Sequence, residues 1–159
     1  MANRNQDTRG VHVWLVLMKA YQALNRKAMP SIANTGLCFS DFAVLEILLH
    51  KGPLPVNALG AKVSLTSGSA TAAIDRLAGK GLVRRADNPE DRRARIVHLT
   101  PKGKNLIEAA FRIHEHDMEA AVSALSPAER QTLITLLKRV GKSAEATTST
   151  HGASHAKNS

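Results

Sequence analysis

The sequence predicts a mainly α-helical protein with a small β-wing, organised around a winged helix-turn-helix. Two observations in residues 54–103 carry this prediction. Two short helical patterns are separated by a turn at Ser64 and Leu65, and two short strand patterns follow them. The loop between the strands combines a turn-forming sequence, residues 87–91, with arginines at positions 92, 93 and 95. A helix beside a basic hairpin tip suits double-stranded DNA, because the helix fits the major groove and the tip can reach phosphates or the minor groove.

The chain ahead of this segment predicts a flexible N-terminus and two helices. Residues 1–10 are polar throughout, and we expect them to be flexible. The pattern of residues 11–29 is helical, but its apolar side chains point all round the helix axis, so the helix must be buried on every side. We therefore expect a second subunit to cover it. A connecting loop, residues 30–39, leads to a second helix that Ser40 caps and that ends at residues 51–53.

The second helix of the winged segment is the candidate recognition helix. Thr66 is expected to cap its start and Gly81 to end it in the left-handed conformation. Its outer face consists mainly of small hydroxyl-bearing side chains, which allow close approach to the bases and can donate or accept hydrogen bonds. Ser69 could instead serve only in capping. The predicted DNA contacts on this helix are Ser67, Ser69, Thr71 and Arg76, of which Arg76 is the one long donor.

Positive charge is concentrated in the winged segment. The formal net charge of the 159-residue chain is +9, and residues 53–104 contain ten Lys or Arg against four Asp or Glu. About two thirds of the net charge therefore lies in one third of the chain, which favours an anionic partner for this segment.

The wing carries a recognisable pattern. Asp91-Arg92-Arg93, followed by residues 96–103 (IVHLTPKG), resembles the D-x-R…V-x-L-T-x-x-G wing signature of the MarR (multiple antibiotic resistance regulator) family. Residues 40–45 (SDFAVL), and Asp75-Arg76-Leu77 followed by Gly81-Leu82-Val83, are similar to the family's other fixed points in the same order. The resemblance covers about residues 11–140.

The resemblance implies a dimeric transcriptional regulator. Family members are intertwined helical homodimers with the first, fifth and sixth helices at the interface, and most are repressors that a small ligand or an oxidant releases from DNA. A two-fold dimer predicts a pseudo-palindromic operator with half-sites about 10 base pairs apart. The resemblance makes Arg93 the arginine that enters the minor groove. We expect Asp91 to orient it, and Arg92 and Arg95 to contact phosphate.

The predicted organisation has five parts. The last helix is expected to open at a capping box, residues 126–129, and the composition after residue 141 turns to Ser, Thr, Ala, His and Asn. The parts are a flexible N-terminus (1–10), N-terminal helices for dimerisation and sensing (11–52), the winged helix-turn-helix DNA-binding domain (53–103), C-terminal dimerisation helices (104–143) and a disordered tail (144–159).

Two features bear on the signal that such a regulator would sense. Cys38 precedes the second helix, where the helix dipole favours a reactive thiolate, although an inert, partly buried cysteine is the alternative. The family's hydroperoxide-sensing branch has its cysteine in the first helix region, paired with tyrosines, whereas Tyr21 is the only tyrosine here. The family also implies a crevice for a small-molecule inducer, unless its aromatic side chains are merely core. The candidate crevice residues are Trp14, Phe39, Phe42 and Phe111.

A metal site is not expected. His114 and His116 are two positions apart on a helix, so their side chains face nearly opposite ways and cannot hold one ion together. His114 with Asp117, or His50 with Cys38, could contribute to a site, but no standard zinc spacing is present. A metal-responsive regulator therefore remains only an alternative.

Other functional classes fit the sequence poorly. The phosphate-loop, dinucleotide-binding and G-x-S-x-G nucleophile patterns are missing, so we expect neither an enzyme nor a cofactor. An apolar run of about eighteen residues is also missing and residues 1–10 do not resemble a signal peptide, so we expect a cytoplasmic protein without a membrane partner. A non-specific architectural DNA-binding protein remains an alternative, because the recognition helix presents no Asn or Gln that could read adenine.

Overall fold

The computed structural model of the chain describes residues 8–63, 65–87 and 95–155, with side chains described up to residue 146. It is mainly helical with a small antiparallel sheet, as the sequence predicts. The elements are α1 (Gly10–Ala33), α2 (Phe39–Lys51), β1 (Leu54–Pro55), α3 (Val56–Lys62), α4 (Ser67–Gly79), β2 (Val83–Asp87), β3 (Arg95–Leu99), α5 (Pro101–Ala121) and α6 (Pro127–His155).

The chain divides into two compact units, and the boundary falls within α5, after Glu119. The first unit contains the winged helix-turn-helix. Its sheet has the order β1-β3-β2 with both pairings antiparallel, and Val83 of β2 lies opposite Leu99 of β3. The second unit contains α6. None of the helices in the described part of the chain is long and apolar enough to cross a bilayer.

The core of the first unit lies where α2, α4 and the sheet meet. Ala70, Ile74 and Leu77 of α4 are buried as predicted, together with Ala73. Removal of such apolar side chains from water is the main favourable term in folding. Among the described residues, the largest fully buried apolar side chains are Phe42, Ile32, Leu45, Leu59, Ile74, Leu77, Leu82, Ile107, Val44 and Val97.

A close backbone approach joins α5 to Leu82, the residue directly before β2. A Cβ atom built on Gly103 would overlap the carbonyl oxygen of Leu82 and lie 2.8 Å from its carbonyl carbon. The same Leu82 oxygen accepts hydrogen bonds from the backbone N–H of Thr100 (3.0 Å) and from the Thr100 hydroxyl (3.2 Å). Only glycine fits at position 103 without a shift, which gives a physical reason for the glycine that ends the wing signature.

The first helix is longer than predicted. The sequence predicts a loop over residues 30–39, whereas α1 continues through Pro30 to Ala33. A proline inside a helix removes one backbone hydrogen bond and costs about 3 kcal/mol. Ile32 is completely buried, which contributes about 1.5–3 kcal/mol, and buried Ser31 donates its hydroxyl to the carbonyl of Ala28 (2.8 Å). Packing of the last turn thus offsets much of the cost of Pro30.

Two further boundaries differ from the prediction. The N-cap position of α2 is occupied by Cys38, in an extended conformation and without a capping hydrogen bond from its side chain, so Ser40 lies inside the first turn and is not the cap. The tail predicted to be disordered over 144–159 is helical as far as His155, and residues 156–159 lie outside the described residues. Lys142, Ala144 and Glu145 are good helix formers, and adding residues to an existing helix avoids the cost of starting a new one.

Candidate nucleic-acid interface

The recognition helix α4 begins with the predicted cap. The Thr66 hydroxyl accepts a hydrogen bond from the backbone N–H of Ser69 (3.2 Å) and donates to the Ser69 hydroxyl (2.9 Å). Ser69 is therefore part of the cap, although its side chain stays exposed. Ser67 and Thr71 are exposed as well, so α4 presents its predicted outer face of small hydroxyl-bearing residues.

The two helices of the helix-turn-helix pack closely. A Cβ atom added at Gly60 of α3 would lie 3.1 Å from the Cβ of Ala70 of α4. Small residues on both helices allow this approach, and the turn between them is closed by a hydrogen bond from the N–H of Leu65 to the carbonyl of Gly60 (3.0 Å). This packing holds α4 against α3 while leaving its outer face uncovered.

Arg76 is bound to α2 rather than extended away from the protein. Its Nη2 lies 2.6 Å from Oδ1 of Asp41 and its Nε 3.4 Å from Oδ2, a two-point ion pair between α4 and the first turn of α2. The Asp41 side chain is only 2% exposed, whereas that of Arg76 is 47% exposed. The hydrogen bond to Asp41 is the main reason that the pKa of Arg76 is raised above its ordinary value. The sequence suggests no partner for Arg76, because Asp41 lies 35 positions earlier.

Cys38 belongs to the same cluster. Its Sγ lies 3.2 Å from the Ser40 hydroxyl and 3.6 Å from Nη2 of Arg76, which also contacts the Ser40 hydroxyl at 3.3 Å. Cys38 is exposed. The candidate sensor therefore touches a side chain of the recognition helix, a proximity that the sequence spacing does not reveal.

The neighbouring residue on α4 pairs with the sheet. Asp75 accepts a hydrogen bond from Nη1 of Arg85 on β2 (2.6 Å). Near the C-terminal end of the helix, Nζ of Lys80 donates to the carbonyl of Gly36 (2.9 Å), and Gly81 has the predicted positive φ of 68°. Side-chain contacts therefore tie α4 to α2, to the α1–α2 connection and to β2.

The base of the wing is closed by an ion pair. Arg95 and Asp87 lie opposite each other in the β2–β3 register, and Nη1 of Arg95 pairs with Oδ1 of Asp87. Arg95 is still 58% exposed, so its guanidinium can be reached from solvent. Asp91, Arg92 and Arg93, the other predicted contacts of the wing, lie outside the described residues.

The four residues of the candidate crevice have different surroundings. Phe42 is only 1% exposed and belongs to the core, so its side chain does not line an open crevice here. Phe111 is partly buried and packs against His50, with ring centroids 4.6 Å apart, while Trp14 and Phe39 are more than half exposed. Within the described part of the chain, ring contacts connect Phe42 and Phe111 through His114 but do not reach Trp14 or Phe39.

His114, named in the sequence analysis only as a possible metal ligand, lies between two of the candidate crevice residues, Phe42 and Phe111. Its ring lies edge-on to Phe42 (5.3 Å), and its Nδ1 is buried without a hydrogen-bond partner among the described residues. The described residues contain no group of three His, Cys, Asp or Glu side chains placed to hold a metal ion.

Known proteins resemble this chain in sequence and in fold. The model of the MarR family matches residues 40–94. The HTH-type transcriptional regulator MhqR of Bacillus subtilis (strain 168) is 36% identical over 137 residues, which are 86% of this chain and 94% of MhqR. A mutant of MarR from Escherichia coli in complex with operator DNA superposes with a TM-score of 0.73 at 25% identity, covering 82% of this chain and 94% of the other. BpsR of Bordetella bronchiseptica, whose DNA binding is regulated by 6-hydroxynicotinic acid, gives a TM-score of 0.72 at 27% identity, covering 82% and 98%.

Proposed function

Because the chain belongs to the MarR family of DNA-binding transcriptional regulators, we propose that it acts as a homodimeric repressor of a pseudo-palindromic operator. Its relatives are regulators rather than enzymes, in agreement with the sequence prediction. The observation that carries the proposal is the exposed face of small hydroxyl-bearing residues on α4, held in place by contacts to three neighbouring segments. We place the protein in the cytoplasm and assign it no cofactor.

Exposed apolar side chains support the homodimer. Trp14 is 58% and Val11 71% exposed, and both lie on α1, whose sequence predicts burial on every side. Large apolar patches that are left uncovered in one chain mark protein interfaces. The exposed large apolar residues on these two helices are Val11, Val13, Trp14, Leu15, Val16, Leu17, Tyr21 and Leu24 of α1, and Leu133, Ile134, Leu136, Leu137 and Val140 of α6.

The proposed DNA contacts divide between the two grooves. Ser67, Ser69 and Thr71 would face the bases of the major groove, where a hydroxyl can act as donor or acceptor. Arg93 would enter the minor groove, and Asp91 would orient its guanidinium. Arg92 and Arg95 would contact phosphate, which contributes affinity without sequence information.

Oxidation of Cys38 is the first candidate signal for release. In this step a hydroperoxide reacts with the thiolate, so that an S–O bond forms, the O–O bond breaks and sulfur is oxidised to the sulfenic acid; the leaving hydroxide or alkoxide takes up a proton from solvent and departs as water or an alcohol. The exposed Sγ lies 3.6 Å from Arg76 of the recognition helix, so a chemical change at sulfur would alter a contact of α4.

A small-molecule inducer is the second candidate signal, in line with the regulation of BpsR by 6-hydroxynicotinic acid. Such a ligand would bind near Phe111, where Nδ1 of His114 offers an unpartnered polar atom.

Binding to DNA from the region upstream of the protein's own gene tests the proposal. The native protein is measured reduced, after mild peroxide and after re-reduction, with Cys38→Ser as the matched variant. Loss of binding in peroxide, recovery on reduction and no response from Cys38→Ser would establish the thiol signal. If all samples bind alike, the signal is a small ligand instead. Equal affinity for the upstream DNA and for bulk competitor DNA would favour the architectural alternative, because a regulator keeps a large specificity ratio.

A further inference from the structure

We infer that Asp41 and Arg76 form a positioning pair, which sets the recognition helix for DNA binding without either residue contacting DNA. This inference rests on the proposed function as a DNA-binding regulator. It gives Arg76 a role different from the one that its place on the outer face of α4 predicts.

The ion pair binds Arg76 strongly to α2. Both terminal oxygens of Asp41 are engaged, Oδ1 by Nη2 (2.6 Å) and Oδ2 by Nε (3.4 Å), which is the two-point geometry that a guanidinium forms with a carboxylate. Within the described part of the chain, Arg76 supplies all hydrogen bonds that the Asp41 side chain receives. Because Asp41 is 2% exposed, moving Arg76 to a base or phosphate would leave a buried charge without compensation, which is strongly unfavourable.

The position of the pair explains why it matters for DNA binding. Arg76 lies in the second half of α4, and the preceding residue, Asp75, pairs with Arg85 of β2. Two adjacent residues therefore tie α4 to elements on different sides, one to α2 and one to the wing. This arrangement fixes the rotation of α4 about its axis, and with it the direction in which Ser67 and Thr71 point.

Substitution of Asp41 distinguishes a positioning role from general electrostatic attraction, because the two predict opposite changes in the affinity for specific DNA. Asp41→Asn raises the net charge by one, so general attraction to DNA would strengthen binding. The positioning role predicts the opposite for specific DNA, because the amide cannot form the same charged two-point pair. We expect affinity for a duplex selected by the native protein from a random pool to fall about ten-fold or more, the equivalent of 1.4 kcal/mol. Affinity for a scrambled duplex should be unchanged or higher.

Substitutions of Arg76 separate positioning from direct contact. A phosphate contact would tolerate Arg76→Lys, and its removal in Arg76→Gln would lower the slope of log affinity against log salt by about one. If Arg76 positions α4 without contacting DNA, both variants should lose about as much affinity for specific DNA as Asp41→Asn does, and the salt slope should stay at the native value. In the Asp41→Asn/Arg76→Gln double variant the loss should be no larger than in either single variant, because both remove one shared interaction.

Glu46→Gln provides the matched control, since it removes the same charge from the same helix, α2. Amide hydrogen exchange in the absence of DNA adds a readout that needs no operator. Asp41→Asn and Arg76→Lys should speed exchange in α4 relative to the native protein, with Glu46→Gln unchanged. If Asp41→Asn does not fold, the test relies on Arg76→Lys, which retains a cation beside Asp41.

The outcomes distinguish this inference from the proposed function. Any one of three results overturns the positioning pair. These are native-like specific binding by Asp41→Asn or Arg76→Lys, a salt slope lowered by about one in Arg76→Gln, and unchanged hydrogen exchange in α4. If the native protein selects no duplex, the proposed function is wrong, and the exchange experiment still decides whether the pair positions α4.

Discussion

Gly103→Ala tests whether the close approach of α5 to Leu82 contributes to stability. The added Cβ would overlap the Leu82 carbonyl oxygen and lie 2.8 Å from the carbonyl carbon and 3.1 Å from Cα, so backbone rather than a flexible side chain must move. Forcing an extra methyl group into a packed site costs about 1–3 kcal/mol. Moving the Leu82 oxygen also endangers its hydrogen bond from the N–H of Thr100, which contributes about 1 kcal/mol. We expect a total loss of about 2–4 kcal/mol.

Urea unfolding at one fixed protein concentration measures this loss, because the stability of a dimer depends on its concentration. Gly79→Ala is the matched control. Gly79 is the last residue of α4, has no atom within 4 Å of its would-be Cβ and does not have a positive φ, so its substitution should be neutral or stabilising by up to about 1 kcal/mol. A change of less than about 0.5 kcal/mol for Gly103→Ala, at an unchanged m-value, would refute the reasoning.

Three further predictions concern DNA binding, dimerisation and acid sensitivity. Arg93→Ala should weaken operator binding by about 1–3 kcal/mol per site in a titration at physiological salt, and unchanged affinity would remove Arg93 from the proposed interface. Trp14→Glu should shift the proposed homodimer toward monomer in sedimentation, because it would place a charge in the proposed apolar interface; a dimer as tight as that of the native protein would contradict the role of α1. Ser126→Ala should lower the melting temperature at neutral pH. The Ser126 hydroxyl and backbone N–H donate to Glu129 and lower its pKa, so this contribution is complete above the ordinary pKa of Glu129 and is lost as the pH falls through the lowered value. The difference between the melting temperatures of the two proteins should therefore become smaller in acid, where only the bond from the Glu129 N–H to the Ser126 hydroxyl remains to distinguish them. A constant difference down to the lowest pH would argue against the Glu129 pairing.

The elements of the winged segment could be predicted because their signals are local. Thr66 and Gly81 mark the ends of α4 through capping and a left-handed turn, and the spacing of Ala70, Ile74 and Leu77 gives the buried face. Each of these signals acts within a few residues, so no knowledge of distant partners is needed. The capping box at the start of α6 is confirmed for the same reason, since Ser126 and Glu129 bond each other directly.

The ends of α1 and α6 could not be predicted because other effects decide them. Pro30 is a strong local signal for a helix end, yet the burial of Ile32 and the hydrogen bond of Ser31 keep the last turn of α1 helical. At the C-terminal end the polar composition suggests disorder, whereas an existing helix can be extended through residues of good helix propensity such as Ala144 and Glu145.

The cluster around Arg76 shows what periodicity leaves out. Helical spacing correctly places Arg76 on the exposed side of α4, and the sequence analysis assigns it to DNA as the one long donor on that face. The positioning role inferred above depends instead on Asp41, because moving the guanidinium away would leave a buried carboxylate without compensation. Arg85 is likewise paired, with Asp75. The basic segment therefore contains arginines that are paired with carboxylates of the same chain as well as those proposed to contact DNA, and only the contacts between distant segments of the chain distinguish the two kinds.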